Sequence, residues 1–312
     1  MVLSCVARGF GPNLTKGLAL TVFHRHDSAG LKNMMLTQTP DFLVTGHLCH
    51  DKVPGGYLPG GAAAYAGLLG VRLGFQTAVL TSFGDDFLFR SKFEAIDIFQ
   101  VSSPHTTVFE NIYESGQRTQ FLHRRAAQLS PSNLPENWRN AKTVLLGPIC
   151  DEVDVEFLQF FDLEKTTLCA CPQGWMRQWD ETGRVTPKFI ENWNLLARAS
   201  LISMSENDVN GDWNLIEKIA GQANVLVVTQ GNMGATVFQN GKQQHFPSFP
   251  AYEVDPTGAG DVFAAAFSLH FSLHKNVEKA AVFANAAASL SIEKSGLEGI
   301  PDMETVVWRM AG

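Results

Sequence analysis

From Asp41 onward, short apolar runs alternate with longer segments of helical pattern. That alternation restricts the chain to an α/β fold with a mostly parallel central sheet. The clearest run is Asn224-Val225-Leu226-Val227-Val228-Thr229, apolar and β-branched throughout its middle, as a strand buried on both faces requires. Residues 42–46, 76–82, 143–147, 166–170 and 201–204 repeat the pattern. Residues 60–74 form a small-residue helix with Ala62, Ala63, Ala64, Ala66, Leu68, Leu69 and Leu73, and residues 153–161 are helix-like. Residues 234–246 depart from the alternation as a hairpin turning at Asn240-Gly241. Helices over 258–273 and 277–292 complete the core.

Residues 100–126 break this rhythm. Two alternating runs, 106–113 and 117–123, flank Glu114-Ser115-Gly116 and predict an antiparallel hairpin. With residues near 52–58 it makes a small sheet projecting from the main domain. Residues 1–40 have no clear periodicity, and up to His26 they contain Arg8, Lys16 and Arg25 but no acidic residue. They are expected to be an accessory extension to a domain spanning 41–312. A transit peptide, or a true start at Met34 or Met35, fits the same bias.

Residues 255–261 carry the chemistry. They read Asp-Pro-Thr-Gly-Ala-Gly-Asp, and the apolar run Val262 to Phe267 follows at once. A small-residue turn opening a helix leaves backbone N–H groups uncovered, and the helix dipole adds to their attraction for anions. Asp261 stands at the mouth of that turn, where a carboxylate takes the proton of a hydroxyl attacking a phosphoryl group. The plainer alternative is that Asp261 caps the helix and the glycines only turn the chain.

The segment resembles the C-terminal signature of the PfkB, or ribokinase-like, carbohydrate and nucleoside kinases, and the resemblance runs over residues 41–301. It implies a ribokinase-like three-layer α/β/α domain with a small β-sheet lid from about 52–58 and 100–126. It implies ATP as donor with Mg²⁺, Asp261 as base, and Gly258, Ala259 and Gly260 as the anion hole. A potassium site near the Asp255 loop is common in that family. Asp51 falls where the family places a carboxylate that accepts hydrogen bonds from substrate hydroxyls, and Gly60-Gly61 allows close approach to the backbone. Tyr65 stands where the family usually has Asn, as a substrate-side residue or as a core aromatic. Gln173, Trp175 and Arg177 follow a strand near the implied acceptor pocket. Arg124 and Arg125 end the lid, and each reads more readily as a surface residue.

Ser205-Glu206-Asn207-Asp208 aligns with the family's Asn-x-x-Glu, which supports magnesium and the phosphates. Here Ser205 borders ATP, with Asp208 and Glu206 as ligands through water; a helix cap fits equally. Thr229, Gly231 and Gly234 resemble a loop beside the nucleotide, as do Thr257, Gly258 and Asn285. No P-loop or protein-kinase motif is present.

A net charge of −7 argues against nucleic acid as the partner. No apolar stretch is long enough to span a membrane. The five cysteines are odd in number and lack Cys-x-x-Cys spacing, which points to reduced thiols in a cytoplasm and to no His/Cys metal cluster. The expected acceptor is a small polyol or sugar, with the myo-inositol kinase-like branch favoured. A nucleoside kinase, with Tyr65 or Trp175 stacking on the base, and a sugar-sensing protein weakened in catalysis stay open. Many members of that family pair through the lid sheet, so the resemblance leaves a homodimer through the lid open.

Overall fold

The computed structural model describes residues 38–114, 117–190 and 193–312. All but the last three residues of the expected extension lie outside them. Nine strands make the main sheet, in the order β15-β14-β13-β12-β9-β8-β1-β4-β5. These are β1 (Phe42–Thr45), β4 (Thr77–Phe83), β5 (Asp97–Ser102), β8 (Thr143–Leu146), β9 (Thr167–Ala170), β12 (Leu201–Ser205), β13 (Val225–Thr229), β14 (Ala235–Gln239) and β15 (Lys242–Phe246). Every pairing from β13 to β5 is parallel, and β14 and β15 close one edge as the antiparallel hairpin read from Asn240-Gly241.

Both faces of the sheet are buried. Phe42, Val44, Val225 and Val227 join one cluster with helices α1 (Ala62–Arg72), α5 (Ala259–His274) and α6 (Val277–Ser291). Their neighbours Leu43, Leu226 and Val228 point the other way and are equally inaccessible. Period-2 strands with no polar face therefore need a layer on each side, which is the three-layer arrangement. Helix α5 is charge-free after Asp261 because it is buried almost throughout. Its Phe263, Phe267 and Phe271, spaced four apart, stack with ring centroids 6.1 Å apart. Burying each ring contributes roughly 1.5–3 kcal/mol.

The remaining helices are shorter: α2 (Phe157–Phe160), α3 (Trp193–Leu196), α4 (Trp213–Ala220) and α7 (Met303–Ala311). The helix expected over 153–161 shrinks to α2, since Val153 is taken into an isolated bridge with Leu129.

The lid is a separate four-stranded sheet, β3-β2-β6-β7, of β2 (Cys49–Val53), β3 (Gly56–Gly60), β6 (Val108–Glu114) and β7 (Gln117–Arg124). Strand β2 springs from the carboxyl end of β1 after three residues, so the lid stands over the end of the sheet where open α/β proteins bind ligands. The elements not legible in the sequence include the edge strand β5, a hairpin of β10 (Arg177–Trp179) and β11 (Val185–Pro187), and the helices α3, α4 and α7. None of the helices among the described residues is long and apolar enough to cross a membrane.

Candidate active site

The turn before α5 takes the form its small residues allow. Gly258 caps the helix with φ 78°, in the left-handed region, and a Cβ there would collide with the Tyr65 ring. Ala259 N–H folds back on the Pro256 carbonyl at 3.2 Å. Of the three N–H groups expected in the anion hole, those of Gly258 and Gly260 have no partner among the described residues. The turn is braced from outside by Asp255, which accepts from Thr257 N (3.0 Å) and Gly296 N (2.8 Å). Burial opposes the charge on Asp255, but these donors outweigh it and hold the carboxyl below its usual range.

Asp261 is the third residue of α5, in its first turn and half-buried. Desolvation pushes its carboxyl up to about 7. Arg177 pulls the other way, while Asp208 and Asp51 add to the rise. A carboxylate at that value holds or releases a proton near neutrality, as a general base for an alcohol requires. The cap reading has no support here, since the residue at the cap is Gly258.

Asp51 is fixed by lid geometry. It pairs with Leu58 across β2–β3 and with Phe109 across β2–β6, which puts these three side chains on one lid face. Its carboxylate lies over Gly60, where any Cβ would collide with Oδ2. Gly60 is thus a close-approach glycine, and the group approaching in this structure is Asp51. Gly61 caps α1 with φ 95° and packs on the His47 carbonyl.

Tyr65 is buried, its ring against Gly258 and its hydroxyl toward Gly296. Burial and the carboxylates of Asp51, Asp255 and Asp261 drive its phenol well above its usual range, so it stays neutral. Trp175 is also buried and donates from Nε1 to the Val153 carbonyl at 2.7 Å. Neither ring is available to stack on a base.

The turn after β12 is the helix cap that the sequence allowed. Ser205 Oγ accepts from Asn207 N (3.2 Å), and Asp208 Oδ2 accepts from Ser205 N (2.8 Å). Asp208 Oδ1 accepts from Gln173 Nε2 at 3.3 Å, so the two predicted residues meet. Glu206 lies half-buried in the same turn. Carboxylate oxygens with one hydrogen bond each retain lone pairs, and this all-oxygen set suits a hydrated Mg²⁺. Gln173, Arg177, Asn207 and Asp208 line an open cleft of about 610 Å³ together with lid residues Thr119 and Gln120.

Thr229 ends β13, and Gly231 and Gly234 flank the 231–233 turn beyond it. Asn285 is buried and donates to the carbonyls of Phe246 (3.1 Å) and Pro247 (3.2 Å). It braces the exit of β15. Thr257 is exposed. Arg124 pairs with Asp86 at 3.5 Å, and Arg125 donates to Gln128 and to the Asp151 carbonyl, so both are engaged at the lid edge.

Sequence reasoning missed Glu152. Its carboxylate, fully buried, accepts from the backbone N–H of His47 (3.1 Å), Ile149 (2.9 Å) and Cys150 (2.7 Å). It ties the loop that launches β2 to the loop after β8. Spacing along the chain indicated no His/Cys cluster, yet His47, Cys150 and Glu152 place ligand atoms within 4.8 Å of one another. His47 is already engaged, through Nε2 with the Ala127 carbonyl (2.9 Å) and through Nδ1 with Thr107 Oγ1 (2.8 Å), and burial keeps the Cys150 thiol protonated. The cluster works as a brace. The four described cysteines are free.

The model for the pfkB family of carbohydrate kinases matches residues 197–303, which include both the Ser205 turn and the Asp255–Asp261 segment. Residues 197–303 carry the pfkB carbohydrate-kinase pattern. The cytidine kinase of Thermococcus kodakarensis is 27% identical over 258 residues, covering 77% of this chain and 91% of that enzyme. The inositol 3-kinase of Zea mays is 26% identical over 280 residues, 82% of this chain and 73% of that enzyme. The ribokinase of Bacillus subtilis is 45% identical, but over 74 residues only, a quarter of its length. Among solved structures, a pyrophosphate-dependent kinase of the ribokinase family, complexed with a pyrophosphate analogue and myo-inositol, superposes with TM-score 0.72. It has 23% identity and covers 86% of this chain and 99% of that chain. The ribokinase of Thermotoga maritima gives TM-score 0.70 at 22% identity, covering 88% and 100%. These likenesses establish the ribokinase-like fold of this chain.

Proposed function

We propose that this kinase transfers the γ-phosphoryl group of ATP to a hydroxyl of a small polyol or sugar, with Asp261 as the base. The observation that carries this reading is Asp261 itself, held near neutrality beside the unpartnered N–H groups of Gly258 and Gly260. Asp51 and the Gly60-Gly61 turn hold the acceptor from the lid side. Asp261 takes the hydroxyl proton as the oxygen attacks the γ-phosphorus, and the bond to the β-phosphate oxygen breaks. The N–H groups of the turn meet the charge on the transferring group. Through water, Asp208 and Glu206 would hold Mg²⁺, which when bound neutralises phosphate oxygens, and Ser205 borders the donor beside them. Thr229, Gly231, Gly234 and Thr257 border the donor, and Asn285 supports that side from the core. Closure of the lid excludes water and limits hydrolysis of the donor.

Two observations narrow the substrates. The two rings considered for stacking, Tyr65 and Trp175, are both committed to the core. This favours a polyol or sugar over a nucleoside, whose base gains from stacking. Between Ser205 and His274 the chain has two lysines, Lys218 and Lys242, both exposed, and no arginine. With few side-chain cations on that side, a donor gains from contacts beyond its phosphates, which the base and ribose of a nucleotide offer and pyrophosphate does not. Pairing through the lid has mixed support: its outer face exposes Tyr57 and Ile112 but also carries the ion pairs of Glu110 with Lys52 (3.2 Å) and His123 (2.7 Å).

Turnover of ATP and of pyrophosphate with myo-inositol, ribose, fructose and nucleosides tests the reading. Transfer from ATP to inositol or a sugar is expected. Transfer only to nucleosides, or only from pyrophosphate, would reject it, and saturable binding of a sugar without turnover would favour the sensing protein.

A further inference from the structure

The four lid strands meet the main domain around one buried residue, His47. Strand β2 begins two residues after it, at Cys49. Strand β6 begins just after Thr107, whose Oγ1 lies 2.8 Å from His47 Nδ1. Strand β7 ends at Arg124, and the chain then passes His47, whose Nε2 lies 2.9 Å from the Ala127 carbonyl. Strand β3 ends at Gly60, and Gly61 packs so closely on the His47 carbonyl that a Cβ there would collide with it.

The hydrogen bonds fix which ring nitrogen carries the proton. A carbonyl oxygen only accepts, so Nε2–H donates to Ala127. Full burial keeps the ring neutral by desolvation, against the opposing pull of Glu152. Nδ1 is therefore an acceptor, and the Thr107 hydroxyl donates to it. Thr107 Oγ1 in turn accepts from Ala126 N at 2.9 Å, and the Thr107 carbonyl accepts from His50 N at 2.9 Å. One chain of bonds thus runs from the end of β7 through the start of β6 to the root of β2.

The same joint is anchored to the main sheet. His47 N donates to the buried Glu152 carboxylate (3.1 Å), Leu48 N to Thr81 Oγ1 on β4 (2.8 Å), and Ala127 N to Ser82 Oγ on β4 (3.2 Å). His47 and Thr107 are fully inaccessible, so each lost bond leaves a donor or acceptor that water does not reach. Asp51 lies four residues beyond His47, and its carboxylate sits over Gly60 at the end of β3. Both strands that set this carboxylate, β2 and β3, leave from the His47 joint.

We propose that His47, as its Nε2–H tautomer, is a positioning residue: it joins the roots of the four lid strands and so holds Asp51 in place for the acceptor. This rests on the proposed function, in which Asp51 binds the acceptor.

The test uses the full chain labelled with ¹⁵N-histidine, with H47Q assigning the His47 signals. Nδ1 should resonate as a bare acceptor and Nε2 as an N–H. T107V removes the hydroxyl while keeping the shape of the side chain, and T107S keeps the hydroxyl. T107V should raise the acceptor KM about tenfold, the worth of one buried hydrogen bond, and speed amide exchange at Ala126 by a similar factor. It should leave the KM for ATP unchanged. T107S should stay close to wild type in both readouts. H47Q should raise the acceptor KM at least as much as T107V, and if it does not fold, the two Thr107 variants decide. A protonated Nδ1, an unchanged acceptor KM in T107V, or equal rises in both KM values overturns the proposal and leaves the proposed function standing. If wild type transfers phosphate to no acceptor, the proposed function fails, while faster exchange at Ala126 in T107V and not in T107S still upholds the joint at His47.

Discussion

Replacing Asp261 by asparagine should stabilise the protein, by an amount that depends on pH in a defined direction. The folded protein raises this carboxyl from 3.8 to about 7, chiefly by desolvation. A shift of about 3 units corresponds to about 4 kcal/mol at 1.36 kcal/mol per unit. Because the group is half-buried, solvent screening brings the usable figure to about 2 kcal/mol. Below about pH 4 the carboxyl is protonated in both folded and unfolded chains, and no penalty exists. Between about 4 and 7 the unfolded chain releases the proton and the folded chain keeps it, so the folded state loses stability as pH rises; above 7 the loss is constant. The amide of D261N does not titrate and carries no such penalty. Thermal melts of wild type and D261N should nearly coincide at about pH 3 and separate by about 4–8 °C at about pH 8, with the variant higher. An equal difference at both pH values, or a lower melting temperature for D261N at pH 8, would refute the reasoning. Such a gain at the expense of activity is the expected trade-off at a strained functional group.

Three further substitutions test other parts of the site. G258A combines left-handed backbone with a collision against the Tyr65 ring, and should lower phosphoryl transfer about 100-fold by misplacing the turn; steady-state kinetics beside a thermal melt reads both effects. E152A strands three buried backbone N–H donors and should cost on the order of 4 kcal/mol in urea unfolding, with E152Q costing less. A loss below about 1 kcal/mol would show that the brace is unimportant. D51N should raise the acceptor KM about tenfold, the worth of one charge-assisted hydrogen bond, and leave the KM for ATP unchanged.

The sheet, the helices behind the Asp255–Asp261 turn and the lid hairpin were legible because each has a local signature: β-branched runs, small-residue helices, alternation about a glycine turn. Strand β5 was not, because Asp97-Ile98-Phe99-Gln100-Val101-Ser102 is a half-buried edge with mixed polarity. The β10–β11 hairpin has three residues a side, below the length at which alternation shows, and it is held by its turn and the lid. Glu152 was invisible for another reason. Its partners are backbone N–H groups brought from residues 47, 149 and 150, and backbone donors leave no mark in side-chain identity. Tyr65 was read as either a substrate-side or a core residue. It contacts the anion turn while being buried, and only the missing Cβ of Gly258 records that contact.

The account stands on Asp261 acting as the base for transfer. Single-turnover transfer of labelled γ-phosphate from ATP to the acceptor found for wild type measures this most directly, in wild type and D261N side by side. D261N should bind ATP as wild type does and transfer phosphate on the order of 10³-fold more slowly, the scale of general-base catalysis. Transfer within a few-fold of wild type would contradict the claim.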